Sequence, residues 1–264
     1  MTHENTLAVH QFITFSYQHE NQQAFTSKKA KRGGAKLIFD LIYYHHKIIS
    51  CEGKNDDINK QTYDTIVYCL NILTNVMEVM TSSSSTASTL LSFKKDILQL
   101  EFLSSDEENL KNNNEKSSQP AILWLTSWLV SLTATYQNAI IKGSFGKTND
   151  SSKLTVSEED RDLTNREKES LVLAGNGFIF LVWFLKESHS KEKTSSCSTL
   201  DESVQIELAK IKQNIFTLMP FSEGKLFIRN VLKAFSNFYH YSIGELSFAV
   251  VAPVRKLIMD LETI

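Results

Sequence analysis

The stretch LVLAGNGFIFLVWFL, Leu171 to Leu185, decides the fold class, because nearly every side chain in it is apolar. A helix needs about 20 apolar residues to cross a bilayer. This run is shorter, and Gly-Asn-Gly at 175–177 interrupts it. A helix that is apolar all round is typical of a protein core. The sequence therefore predicts a central core helix, in which the two glycines admit a neighbouring helix or introduce a kink.

Few residues in the rest of the chain can form tight turns. The 264 residues include only nine glycines and three prolines, and an all-β fold of this length would need many more. Apolar residues recur at helical spacing in segments that alternate with polar gaps. We predict an all-α fold of about eight or nine helices in irregular, HEAT-like antiparallel pairs, with a compact helical bundle as the alternative architecture.

The polar gaps are predicted to be disordered loops within a single domain that spans residues 1–264. They lie near 104–119, 143–157 and 188–199 and are rich in serine, asparagine and charged residues. Helices are predicted over 7–18, 35–49, 63–80, 89–103, 121–141, 158–187, 200–218, 223–241 and 244–262. Helical spacing within 35–49 predicts one core-facing side made of Leu37, Ile38, Leu41, Ile42 and His45.

A second stretch, MPFSEGKLFIRNVLKAFSNFYHY from Met219 to Tyr241, predicts a helix with two different faces. Phe221 and Leu226 have the spacing of a hydrophobic staple, and Ser222 can cap the helix. One apolar stripe is predicted to be buried: Ile228, Val231, Leu232, Phe235, Phe238 and Tyr239. Lys225, Arg229 and Lys233 recur every four residues elsewhere on the helix, and this set is either a partner-binding face or a solvated one.

No grouping of residues predicts catalysis. The segment GSFGKT lacks the glycine that a phosphate-binding loop needs at Ile141, and it follows a predicted helix instead of a strand. His45 and His46 are adjacent and face different sides of a helix, which excludes joint metal binding. The three widely spaced cysteines indicate a reducing compartment. We therefore predict a chain that is not an enzyme and that binds no cofactor or metal.

Charge and hydropathy narrow the classes of partner. The formal net charge of −2 does not favour direct nucleic-acid binding, and the N-terminus lacks the basic and apolar regions of a signal peptide. No membrane partner is predicted. The segment SKKAKRGGAK, Ser27 to Lys36, concentrates cations locally. It is either a solvated loop or a contact for nucleic acid or an acidic partner.

Three segments stand in an order that matches a known family. LMPFSEGKLFIRNVLKAFSNFYHYS contains a leucine-proline turn and then a helix with a lysine–phenylalanine–x–x–phenylalanine-like run, although Ala234 separates Lys233 from Phe235. YCLNILTNVME begins with a tyrosine-cysteine-leucine run, and ESLVLAGNGFIFLVWFLKES lies between the two. The matching residues are Tyr68, Cys69, Leu70, Leu73, Asn75, Glu78, Leu218, Pro220, Glu223, Gly224, Leu232, Lys233, Phe235 and Phe238. This pattern resembles the Wapl family of cohesin-release factors.

The resemblance covers roughly residues 60–264 and implies the C-terminal domain of a fungal-type member. It implies a non-enzymatic, chromatin-associated nuclear protein that binds the SMC ATPase head and the HEAT-repeat accessory subunits of cohesin. Such a protein promotes release of cohesin from chromatin and so opposes stable sister-chromatid cohesion during the cell cycle. The Phe-Gly-Phe and Tyr-Ser-Arg docking motifs of animal members have no counterpart here. We expect partner-binding residues at Tyr68, Asn71, Asn75, Glu78, Lys225, Arg229 and Lys233.

The alternative function is a generic helical-repeat scaffold for protein–protein interaction in another pathway, such as trafficking or RNA processing. Long polar insertions and aromatic-rich helices occur in such scaffolds as well.

Overall fold

A computed structural model of the chain describes residues 34–51, 56–82, 87–103, 118–134, 165–186, 199–220, 224–243 and 248–261. These residues form eight helices and one two-stranded ribbon, which confirms the prediction of an all-α fold. The helices are α1 (Gly34–Cys51), α2 (Asp56–Ser82), α3 (Ala87–Leu98), α4 (Ala121–Leu132), α5 (Asn165–Leu185), α6 (Thr199–Thr217), α7 (Gly224–Ile243) and α8 (Phe248–Asp260). The strands are β1 (Glu101–Leu103) and β2 (Ser118–Pro120).

The chain divides into two compact units. The first contains Met1–Leu125 and Trp183–Lys212, and the second contains Thr126–Val182 and Gln213–Ile264. The single domain and the HEAT-like arrangement stay predictions.

α1 and α2 form a helical hairpin in the first unit. Residues 52–55 connect two helices that pack along each other, and so short a connection makes them antiparallel. Several large side chains of the hairpin are fully excluded from solvent, namely Phe39, Ile42, Ile66, Leu70, Leu73 and Met77. Burial of each contributes about 1.5–3 kcal/mol. Since α3 packs against both helices, these three helices build the core of the first unit.

The buried side of α1 differs from the predicted one. Ile38 and Ile42 are buried as expected, but Leu37 and Leu41 are 54% and 38% exposed. Phe39 is buried completely instead. Because α1 is apolar on two sides, helical periodicity could not decide between them. Contacts with the rest of the unit select the side that carries the large ring of Phe39.

The predicted helix over 89–103 ends early and gives way to a ribbon. α3 ends at Leu98, and β1 pairs antiparallel with β2, so that Phe102 lies opposite Gln119. The loop predicted near 104–119 therefore starts and finishes on this ribbon, and residues 118–119 belong to β2 instead of the loop. Three-residue strands are too short to show a period in the sequence.

An aromatic cluster holds the ribbon against α1 and the first turn of α4. The ring of Tyr43 stacks on Phe102 with centroids 4.4 Å apart and meets Trp124 at 5.0 Å with its plane steeply inclined. Phe102 meets Trp124 edge-on at 5.2 Å. Such pairs add about 0.5–1.5 kcal/mol beyond area burial. The cluster therefore holds the two-stranded ribbon in place against α1 and α4.

A buried lysine donates a hydrogen bond to a backbone carbonyl at the C-terminal end of α5, within the first unit. The Nζ of Lys94 donates to the backbone carbonyl of Lys186 at 2.7 Å and lies 5.9 Å from the ring centroid of Phe184. The last carbonyl groups of a helix have no partner within the helix, and the helix dipole favours a cation there. Lys94 therefore stabilises this helix end although its side chain is almost completely buried.

In the second unit, α5 is the core helix that the sequence predicts, since its large side chains, such as Phe178 and Phe180, are excluded from solvent. A Cβ atom at Gly175 would overlap the ring of Phe235 in α7. A Cβ atom at Gly177 would overlap the side chain of Leu129 in α4. The glycines thus permit close approach of two neighbouring helices, which confirms the first of the two predicted roles.

α7 and α8 form a second hairpin, joined by residues 244–247. Most of the predicted stripe of α7 is buried, including Ile228, Val231 and Phe235, but Phe238 and Tyr239 are only half-buried. The prediction of full burial was wrong for these two residues, which lie in the last turns of α7.

We expect Gly175→Ala to destabilise the second unit, although alanine is the better helix former. The gain in helix propensity is about 1 kcal/mol, whereas overpacking a core costs about 1–3 kcal/mol. Urea denaturation should therefore show a lower free energy of unfolding. Gln205→Ala, at an exposed position of α6, serves as the control. If Gly175→Ala is as stable as the parent, α5 and α7 do not approach each other as closely as the structure indicates.

Several predictions fall outside the described residues. They are the helix over 7–18, the loops over 143–157 and 188–198, the GSFGKT segment, the basic residues before Gly34, and the staple and cap at Phe221 and Ser222. The described part of the helix predicted over 158–187 begins at Asn165.

Candidate interaction surfaces

The outward face of α2 carries the first set of predicted partner-binding residues. Tyr68, Asn71, Asn75 and Glu78 follow one another at three- and four-residue spacing, which places them on one side of a helix. Tyr68 is 68% exposed, and the other three are half-exposed. The opposite side of α2 is buried. The structure thus brings these four residues together on one accessible face.

Ile72 belongs to the same surface, although the sequence analysis missed it. It is 42% exposed and lies one turn after Tyr68. On α1, Leu37, Leu41 and Tyr44 are also exposed. Leu37 and Leu41 were predicted to face the core, because apolar residues at helical spacing have the same pattern on a buried and on an exposed side. Exposed tyrosines are typical anchors of protein interfaces, and apolar side chains are frequent in the buried centre of an interface.

The second predicted set lies on α7 in the second unit. Lys225 and Lys233 are exposed, and Arg229 between them is half-buried. His240 is exposed further along the helix, and α7 contains no acidic residue. At 1.5 Å per residue, the stripe from Lys225 to Lys233 extends about 12 Å. α7 thus turns a basic stripe towards solvent, as the four-residue spacing predicts.

Burial shifts the pKa of three side chains in the described chain. Burial, and secondly the charge of Lys47, lower the pKa of His46, whose ring meets Trp124 edge-on at 5.2 Å. Burial raises the pKa of the Cys69 thiol and of the Tyr239 hydroxyl. Within the described ranges, no three His, Cys, Asp or Glu side chains lie close enough to hold a metal ion. Burial is thus the main cause of all three pKa shifts.

The lowered pKa of His46 predicts a loss of stability at acidic pH. The unfolded chain takes up a proton near the ordinary histidine pKa of 6.5, whereas folded His46 resists protonation. Its contribution to stability is therefore complete above that value and falls as the pH drops through it towards the lower folded pKa. Melting temperatures between pH 7.5 and 5 should fall less steeply in His46→Gln than in the parent.

His240→Gln, at an exposed histidine of α7, controls for removal of an imidazole as such. Equal slopes for His46→Gln and the parent would show that His46 titrates normally in the folded chain.

One described helix, Glu167–Leu185, is long and apolar enough to cross a membrane, with a mean hydropathy of 1.4, and 67% of it is buried within the structure. Core helices of globular proteins have the same length and composition, so its burial agrees with the predicted core helix. In comparisons with known proteins, no family model matches the chain, and no curated protein or solved structure is significantly similar to it.

Proposed function

We propose that this chain is a non-enzymatic regulator of cohesin that binds cohesin subunits in the nucleus and promotes release of the complex from chromatin. The observation that carries this proposal is the ordered likeness of three segments to the Wapl family, which requires an all-helical chain. The helical fold meets that requirement. A generic helical scaffold of another pathway is the competing function.

Two surfaces support a role in binding. The partner-binding residues expected on α2, Tyr68, Asn71, Asn75 and Glu78, are accessible, with Tyr68 the most exposed of them. Three other residues of the matching run, Cys69, Leu70 and Leu73, are buried. The basic stripe of α7 is accessible at Lys225 and Lys233. A rigid helical surface that binds one state of a partner more tightly than another shifts the partner between those states, without chemistry of its own. Release of cohesin would follow from such differential affinity for a ring that is ready to open.

The proposal is tested by binding the purified full chain to isolated cohesin parts, namely the SMC ATPase head and each HEAT-repeat accessory subunit. We expect saturable binding to at least one of them, measured by biolayer interferometry. Tyr68→Ala should weaken it by about tenfold, because an exposed tyrosine at an interface is a frequent hot spot. Absence of binding to every part would exclude the cohesin role and leave the scaffold alternative.

We expect charge reversal on α7 to weaken binding without unfolding the chain. Lys225→Glu combined with Lys233→Glu places two carboxylates on an exposed stripe, so helix content and melting temperature should change little, while an acidic partner should bind at least about tenfold more weakly. Arg229→Glu is tested separately because Arg229 is half-buried. Lys210→Glu on the exposed side of α6 is the matched control. Unchanged affinity in the double variant would identify the stripe as a solvated face.

A further inference from the structure

The α1–α2 hairpin exposes more large apolar side chains than the rest of the described structure. Of the eight that the described residues expose, five lie on these two helices: Leu37, Leu41, Tyr44, Tyr68 and Ile72. With about 150–250 Å² in a whole aromatic side chain, the two tyrosines alone expose on the order of 250 Å². Contiguous apolar surface beyond a few hundred Å² marks an interaction site. The hairpin therefore concentrates most of the exposed large apolar side chains of the described residues.

These residues recur with the spacing of a coiled-coil seam. On α1 the positions are 37, 41, 44 and 48, and on α2 they are 68, 72, 75 and 79. Each series alternates steps of four and three residues, which is a heptad seam and not the wider stripe of a core helix. Ile48, Asn75 and Val79 are half-exposed. Each helix of the hairpin thus offers a narrow seam of the kind that packs against another helix.

The two seams lie on the outer side of the same hairpin. Tyr43 and His46 turn one edge of α1 towards the ribbon and Trp124. The seam of α1 carries the exposed side chains of Leu37, Leu41 and Tyr44. On α2, Tyr68 and Ile72 are exposed, whereas Leu70, Leu73 and Met77 are buried. Two helices that pack on each other therefore each present one apolar seam to solvent.

Charged residues flank the seams with opposite net sign. Beside the seam of α1, Lys36 pairs with Asp40 at 3.0 Å, and Lys47 lies 4.8 Å from the ring centroid of Tyr43. The Lys36–Asp40 pair is neutral, so this flank is positive overall. Beside the seam of α2 the charged residues are Lys60, Asp64 and Glu78, and that flank is negative overall. A partner that matches both flanks carries acidic residues on one side and basic residues on the other.

We propose that the α1–α2 hairpin docks an amphipathic helix of a partner protein, with its apolar seam between the two helices, its acidic flank along α1 and its basic flank along α2. The inference rests on the proposed role as an interaction module and specifies what one surface binds. A nucleic-acid backbone would leave the apolar seams uncovered. Asn75 supplies the single polar seam position, which favours one register of the docked helix.

The test uses the full chain and a fluorescein-labelled synthetic helical peptide. The peptide has leucine at heptad positions a and d, glutamate on one flank and lysine on the other, and a control peptide has the same composition in scrambled order. Fluorescence anisotropy should show at least about tenfold tighter binding of the patterned peptide, or 1.4 kcal/mol. Leu37→Asp and Tyr44→Asp should each abolish most of this preference with unchanged circular dichroism. Ile206→Asp and Met259→Asp, at exposed apolar residues of other helices, should retain it.

Equal binding of the two peptides, or full binding by both α1 variants, overturns the proposal. A chain dimer that Leu37→Asp dissociates in sedimentation experiments would show that a second copy occupies the seams instead. Tighter peptide binding by the double variant Phe12→Asp and Phe15→Asp would show that the N-terminal segment of the chain itself occupies the seams. The assay contains no cohesin, so peptide binding without cohesin binding would remove the proposed function and keep the docking surface.

Discussion

Phe235→Ala should lower the free energy of unfolding by about 3–5 kcal/mol, the range for removal of a buried aromatic ring. Phe235 is 1% exposed, and its ring lies against the backbone of α5 at Gly175. A helix backbone cannot move into the space that the ring leaves, so little of the cavity collapses. We therefore expect a value near the upper end of the range, measured by urea denaturation.

A double-mutant cycle makes this test specific to the contact. Gly175→Ala should be destabilising in the parent, where its methyl group meets the ring of Phe235. In the Phe235→Ala background the same methyl group enters the cavity, so Gly175→Ala should be neutral or stabilising. Phe238→Ala, a half-buried phenylalanine on the same helix, is the matched control and should cost less. If Gly175→Ala changes the free energy of unfolding in the same direction in both backgrounds, the packing of α5 against α7 is contradicted.

Trp124→Ala should produce a comparable loss in the first unit, again about 3–5 kcal/mol. The indole ring is almost completely buried and contacts three rings, those of Tyr43, His46 and Phe102, at centroid distances of 5.0, 5.2 and 5.2 Å. Its removal therefore loosens the ribbon from α1 as well as opening a cavity. Differential scanning calorimetry should show a clearly lower melting temperature.

Two controls separate this core role from a general effect of removing an aromatic residue. Trp124→Phe keeps one ring in the cluster and should recover much of the stability. Tyr44→Ala removes an aromatic side chain that is 61% exposed on α1, and it should change stability by no more than about 0.5 kcal/mol. If Trp124→Ala and Tyr44→Ala behave alike, the aromatic cluster does not stabilise the first unit.

The candidate surfaces show how far residue spacing can guide prediction. Four-residue spacing placed Lys225 and Lys233 on an accessible stripe, because charged side chains seldom lie on the buried side of a helix. The resemblance, and not spacing, selected Tyr68 and Glu78, which the structure brings to one face of α2. Spacing could not reveal that Ile72 is exposed beside them, since an isoleucine at helical spacing has the same pattern on either side of a helix. Binding at these surfaces stays a prediction.

The sequence by itself determined the helical class, the burial of α5 and the basic stripe of α7. Each depends on local properties, namely the scarcity of turn-forming residues and helical periodicity. That the glycines at 175 and 177 admit neighbouring helices, instead of introducing a kink, was decided by the tertiary structure. Only the tertiary structure decided which apolar side of α1 is buried, where α3 gives way to the ribbon, and that Lys94 reaches the carbonyl of Lys186. These features depend on contacts between residues far apart in the chain, and a local pattern carries no information about which distant element occupies each face.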